Sequence, residues 1–311
     1  NQPGASAPRV ALLERARTVA EELNRSAAEL ANLHRASVEQ ADALVSEVNA
    51  TAARVAELNG AIRNATAAGL NPHDLADQRD LLVERLGELV GVTTRQGELG
   101  TTDVFLGGSS LVRGDRFELL TLTETATPSS HPDFAIVEVQ WAKDGFTAVV
   151  DRGEIGGMLD GMNRVIPTYL GRLDEVATTL ASTVNAAHQA GFDLDGTAGI
   201  AMFVDDADTT ASISATNIRV HSSLMADPRL VAASADPASP LDGANALALA
   251  RVGEDTAGAD AAYKRLIGAL GVESQATQRR EQIQSEVIVQ VDAARDSVKG
   301  VNLDEEMTNL V

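Results

Sequence analysis

From Arg9 to Asn59 the chain contains neither Gly nor Pro, and its apolar positions recur in alternating steps of three and four residues. Leu13, Ala16, Ala20, Leu23, Ala27 and Leu30 form one run; Ala41, Val45, Val48, Ala52, Val55 and Ile62 form the next. A mean step near 3.5 residues marks a helix that packs along a seam against other helices. One unbroken helix of this length would extend roughly 75 Å at ~1.5 Å per residue. The pattern therefore predicts a stutter or kink near Leu33-His34, where the two runs meet. Gly60 and Ala67-Ala68-Gly69 loosen the end of the helix. Asn71-Pro72 restarts the chain, with Asn71 expected as N-cap and Pro72 at the first helical position. Leu75, Gln78-Arg79, Leu82, Leu86 and Leu89-Val90 make the stripe of a second helix that ends before Gly91.

The period changes at Val92. Thr93-Thr94, Asp103 to Leu106, Ser110 to Val112 and Phe117 to Leu122 are short β-like runs separated by glycines. Phe134 to Trp141 and Phe146 to Val150 flank Lys143-Asp144-Gly145, a hairpin turn signal. Helical spacing returns at Met158 and runs through Leu170, Leu173 and Leu180 to Val184, stopping at Gly191. A second β-tending insert contains Met202-Phe203-Val204, Ile213, Ile218 and Val220. From Pro228 the chain reads as helical again, with a linker at Ser239 to Gly243 and a last long helix from Leu266 to Val298. The expected fold is α+β: an elongated α-helical bundle formed by both ends of the chain, with a small antiparallel β-rich inserted domain. Residues 1–91, 158–190 and 225–311 are expected to form the helical domain, and 92–157 with 191–224 the β-rich outer domain. The first and last long helices are expected to pair antiparallel.

Composition narrows the chemistry. Of 311 residues 44% are hydrophobic but only 3% aromatic, so the core must be built from Ala, Leu, Val and Ile, which suits close-packed helices. There are 45 acidic and 25 basic residues, a formal net charge of -20. A nucleic-acid binder must neutralise phosphates, so that balance argues against one, and it disfavours an anionic membrane surface. No stretch approaches 18 uninterrupted apolar residues. The absence of Cys rules out disulfides, thiolate catalysis and Cys-ligated zinc.

The five histidines, His34, His73, His131, His188 and His221, are scattered, and no two are four apart as a helical metal site requires. Asp193-Leu194-Asp195-Gly196 lacks the later ligands of a calcium loop and reads as a turn. Asp205-Asp206-Ala207-Asp208 reads as a solvated turn, and Gly107-Gly108-Ser109-Ser110 and Gly153-Glu154-Ile155-Gly156-Gly157 as turns without a phosphate-loop signature. Asn24-Arg25-Ser26, Asn49-Ala50-Thr51 and Asn64-Ala65-Thr66 match a glycosylation sequon, as chance allows in such sequence. No Gly-x-Ser-x-Gly occurs. No catalytic, cofactor-binding or metal residue is assigned, no cofactor is expected, and the chain is not read as an enzyme.

Two segments are more specific than composition. Leu70-Asn71-Pro72-His73-Asp74-Leu75-Ala76-Asp77-Gln78-Arg79-Asp80-Leu81-Leu82 resembles a segment of the flagellar hook-associated protein 1 (FlgK) family, and so does Ser297-Val298-Lys299-Gly300-Val301-Asn302-Leu303-Asp304-Glu305-Glu306-Met307. Between them, Gly153 to Leu159, Val184 to Gly196, Ala215 to Val220 and Asp227-Pro228 resemble the same family in the same order. The resemblance implies a structural subunit at the hook–filament junction, secreted and extracellular in the bacterial flagellum, assembling into an axial tube. It implies contacts with other copies and with neighbouring axial proteins (hook protein and hook-associated protein 3). It also implies an export chaperone for the full-length chain. Both ends read as cut from a longer chain, so the fragment is expected to be monomeric. Asp304-Glu305-Glu306 is expected to charge the first turn of a helix capped by Asn302 or Asp304. The alternatives are another flagellar axial protein (hook-associated protein 3 or flagellin-like), a coiled-coil scaffold, or a hydrolase housed in the β region.

Overall fold

The computed structural model describes residues 4–125, 134–205 and 212–299. Its contacts divide the chain into two units, Asn1–Val252 and Gly253–Val311. His131, Asp206 to Asp208 and Gly300 to Met307 lie outside the described residues.

Helix α1 spans Ser6–Ala67, 62 residues without interruption, or about 90 Å at ~1.5 Å per residue. The expected break at Leu33-His34 does not occur. His34 itself takes the apolar position that follows Leu30, buried with its ring edge-on to Phe134 at 5.1 Å between centroids. The seam steps on through Ser37 to Ala41, and its one extra four-residue step falls between Ala41 and Val45, both buried. Eleven residues over three turns match a relaxed helix closely, so the shift is absorbed without a kink. Gly60 also stays inside α1.

Helix α2 (His73–Val90) starts one residue later than expected. Pro72 rather than Asn71 occupies the N-cap position, with no side-chain cap. It ends at Gly91, whose left-handed φ of 68° suits glycine. Its Leu86, Leu89 and Val90 join Val48, Ala52, Val55 and Ala56 of α1 in one apolar cluster.

The same cluster takes in the β segments. Strands β1 (Thr93–Gln96), β2 (Thr102–Leu106), β3 (Ser109–Arg113) and β4 (Arg116–Phe117) form an antiparallel meander. Strands β5 (Leu120–Thr125) and β6 (Ile136–Trp141) form a separate pair. Gly107 and Gly108, with φ of 55° and 84°, make the two-residue turn that suits the twist of paired strands. The run expected from Phe117 to Leu122 is split: the Glu118 amide bonds Leu111 in the meander, whereas the Leu120 amide bonds Asn49 on α1. Val104, Leu111, Val112, Val139 and Trp141 are buried in the core shared with α1 and α2.

Helix α3 (Gly153–Asp160), a π turn (Gly161–Val165) and α4 (Ile166–Gln189) follow one another directly. Pro167 has no N–H to donate into the preceding turn, and that turn widens to π spacing. Gly153 to Gly157, expected as a turn, is instead the start of α3. Gly153 has φ of 70°, and a Cβ there would lie 2.6 Å from the Leu89 carbonyl carbon, so only glycine lets α3 begin against the end of α2.

Strands β7 (Phe203–Asp205) and β8 (Ile218–Val220) pair antiparallel, followed by the short helix α5 (Ser222–Ala226). Contrary to the helix expected from Pro228 onward, the chain does not become helical at once. After one 3-10 turn (Pro228–Leu230) it stays irregular until α6 (Ala244–Arg251). Side chains from α1, α4 and α6 satisfy the backbone there in place of a helical ladder. In the second unit, α7 (Ala259–Lys299) runs 41 residues and exposes Tyr263, Ile267, Leu270, Ile283, Val287 and Val291. The architecture is α+β, with long helices near both ends of the chain and small antiparallel sheets between.

Candidate assembly interface

The residues singled out in the sequence do not converge on one site among the described residues. Among the described residues, no group of three or more His, Asp or Glu could hold a metal ion. His73 opens α2 in solvent, and His221 caps α5 by accepting the Ser223 amide at 3.2 Å. His34 is buried, its Nε2 without a hydrogen-bond partner among the described residues. Burial holds its ring below the usual histidine pKa, and does the same to His188. Asp193 is buried and makes the turn expected of it, its Oδ1 accepting the Asp195 and Thr197 amides at 2.8 and 2.9 Å. Asp195 pairs with Arg229 at 2.5 Å.

The polar groups that organise this body are asparagines. Asn49 donates to the Leu120 carbonyl and accepts its amide, both at 2.8 Å. Asn59, fully buried on α1, donates to Thr102 and Gly114 carbonyls at 2.8 and 2.9 Å and accepts the Thr102 amide at 3.0 Å. Asn163 treats Val137 the same way, and Asn185 donates to Phe203 while accepting the Met202 and Phe203 amides. A carboxamide carries the same donor and acceptor as a peptide unit, so each acts as one rung of a strand ladder grown from a helix. Asn24 likewise donates to Ala215 at 2.8 Å and accepts from Arg219. Asn24 and Asn49 head two of the three sequons, and both side-chain amides are committed to these bonds. Arg79, in the Asp-Gln-Arg-Asp segment, is buried and donates to the Gly100 carbonyl at 2.7 Å, steadying the turn where Leu99 adopts φ of 51°.

Helix α1 has a second seam that the sequence analysis did not separate from the first. Leu12, Ala16, Val19, Leu23, Ser26, Leu30 and Leu33 also alternate four and three apart. Ala16, Leu23 and Leu30 belong to both seams, but Leu12, Val19 and Leu33 are 39%, 46% and 54% exposed. They lie seven or fourteen residues apart, on one line about 30 Å long at ~1.5 Å per residue. Near its N-terminal end this line borders a groove of about 320 Å³, walled by Leu180 and Val184 of α4 and by Leu249 and Ala250 of α6. Among the described residues, the only charged side chain lining it is Arg15. Intrahelical pairs Arg17–Glu14 and Arg25–Glu22, at 2.6 and 2.8 Å, lie on the exposed surface of the same helix. A heptad-spaced apolar line beside an apolar groove is the geometry that receives another helix. It offers no convergent polar groups for chemistry.

The comparisons with known proteins agree with this architecture. The chain is 31% identical to flagellar hook-associated protein 1 of Escherichia coli (strain K12) over 46% of its own length and 27% of that protein's. It is 26% identical to flagellar hook-associated protein 1 of Bacillus subtilis (strain 168) over 82% of its length and 56% of the relative's. It thus spans about a quarter to a half of the relatives it matches. The solved flagellar hook junction protein FlgK from Burkholderia pseudomallei superposes with a TM-score of 0.56 at 26% identity, over 65% of this chain and 37% of that one. Residues 1–203 match the flagellar hook-associated protein FlgK helical domain. The chain belongs to that FlgK family.

Proposed function

We propose that this chain is part of a structural subunit of the bacterial flagellum at the junction between hook and filament, where copies of it build an axial tube. The observation that carries the reading is the two-seamed helix α1 in a chain of the FlgK family. One seam holds the helix to its own strands and helices, and the other leaves Leu12, Val19 and Leu33 for a further helix. In this reading the subunit is secreted to the cell exterior, with an export chaperone serving the full-length protein. Its neighbours are its own copies, the hook protein and hook-associated protein 3. Residues 1–91 and 158–190 serve as the helical scaffold of the first unit, with the strands of 92–157 and 191–224 packed against it. The role is structural, with no catalytic residue and no cofactor. The net charge of -20 speaks against nucleic acid as a partner. Deleting the gene in its native host tests the reading. Cells that keep hooks but shed filament protein into the medium support it; cells with normal attached filaments overturn it.

A further inference from the structure

We propose that His188 is a proton-operated pin: neutral, it fastens the irregular segment 228–234 to the body, and protonation of its Nε2 releases that segment. His188 stands near the end of α4 with none of its surface exposed. Its Nε2 accepts the Ala232 amide at 2.9 Å, and its Nδ1 lies 2.6 Å from the Ile200 carbonyl. A backbone amide can only donate, so the lone pair is on Nε2 and the ring proton is on Nδ1, donated to Ile200. One neutral ring thereby ties together two stretches of backbone that have no regular ladder of their own.

The segment it holds is also held from other sides: Ser234 exchanges backbone bonds with Phe192 at 2.8 and 3.1 Å, and the Leu194 and Ala246 amides donate to the Arg229 and Ala233 carbonyls at 3.3 and 3.0 Å. Arg9 of α1 donates to the Val231 carbonyl and, at 3.3 Å, to that of Arg229. Asn245 of α6 donates to the Ala232 carbonyl at 2.6 Å. A proton on Nε2 would set two N–H groups against each other in a buried place with no acceptor between them, an arrangement a native fold does not keep. The charged groups around it do not relieve this. α1 contributes Arg9, a second cation. The turn after α4 contributes Asp193, whose carboxylate is taken up by the Asp195 and Thr197 amides and by attraction to Arg9. The segment itself contributes Arg229, paired with Asp195, and Asp236 and Asp242 bond the Ala238 and Ala235 amides at its outer end. α6 presents only the neutral Asn245. Burial and Arg9 both favour the uncharged ring.

Release has a consequence at the surface. Val231 and Ala233 line the groove beside Leu12, so acid would loosen the floor of the exposed seam and the anchor of the first turns of α1 together. The inference stands whether or not that face receives a helix. Amide hydrogen exchange at pH 7.5 and 5.0, each corrected for intrinsic rates, tests it. Protection at Ala232 should fall about tenfold or more between the two, as a ring held neutral below its free pKa requires. Thr102 and Leu120, bonded to asparagines, should lose less protection than Ala232, since they report only the general loss of stability in acid, and His188→Gln should abolish the excess loss at Ala232. Equal protection at both pH values, or the same loss in His188→Gln, would overturn the pin. Should the variant not fold, the wild-type ring decides by NMR. Titration of His188 in step with Ala232 exposure supports the pin, and exposure in step with any other histidine refutes it.

Discussion

Replacing Asn59 with Ala removes one side chain and leaves three backbone groups without partners. The amide and carbonyl of Thr102 and the carbonyl of Gly114 all lose a bond of 2.8 to 3.0 Å. The two Thr102 groups are buried, and each such loss costs about 1–1.5 kcal/mol; the part-buried Gly114 carbonyl loses less and the small cavity adds to the total, so the substitution should cost about 3–4 kcal/mol. That is a large share of the 5–15 kcal/mol typical of a folded domain. Trp141 is the sole tryptophan and lies in the same core cluster, so its fluorescence reports this region directly. With a urea dependence of about 3 kcal/mol per M, the midpoint should drop by more than about 1 M. Asn59→Leu is the discriminating partner, because it refills the volume but leaves the same three groups unpaired. It should be nearly as destabilised as Asn59→Ala. Breaking the exposed pair Arg63–Asp115, 2.7 Å long on the same helix, should matter far less because both ends stay hydrated. Wild-type stability in Asn59→Leu would show that packing rather than hydrogen bonding holds α1 to the sheet.

Two further predictions concern backbone and pH. Gly153→Ala should destabilise by about 2 kcal/mol or more, through its positive φ and the Leu89 backbone. Gly157→Ala, with open space around it inside α3, should stabilise by about 0.5–1 kcal/mol; thermal melts of both check this. His34 and His188 are held neutral below their unfolded pKa, so the unfolded chain binds more protons in acid. Stability is then fully present above about pH 6.5 and declines as pH falls below it, which urea midpoints at pH 7.5, 6 and 5 would show.

Much of the helical plan is legible because 3.5-residue spacing survives from Leu13 to Ile62. The false break at His34 arose from treating histidine as polar, whereas a neutral ring against Phe134 fills an apolar position. The asparagine clasps were not legible, since Asn49 and Asn59 become strand-like only when a strand end arrives beside them. The stretch after Pro228 is irregular where the sequence pattern predicts helix. Its backbone is instead satisfied by Arg9, His188 and Asn245, which are distant in the sequence or on a later helix. The exposed seam was present in the sequence all along. Leu12, Val19 and Leu33 fall on their own seven-residue line, and reading two offset seams on one helix would have found it.

That seam is where the account can be tested most directly. Leu12, Val19 and Leu33 can be changed together to Asp in the full-length gene, restored to cells that lack it, and attached filaments counted by electron microscopy. The account predicts a chain that folds, with wild-type circular dichroism and Trp141 fluorescence, yet leaves bare hooks. A wild-type number of filaments on cells carrying the folded triple variant would contradict it.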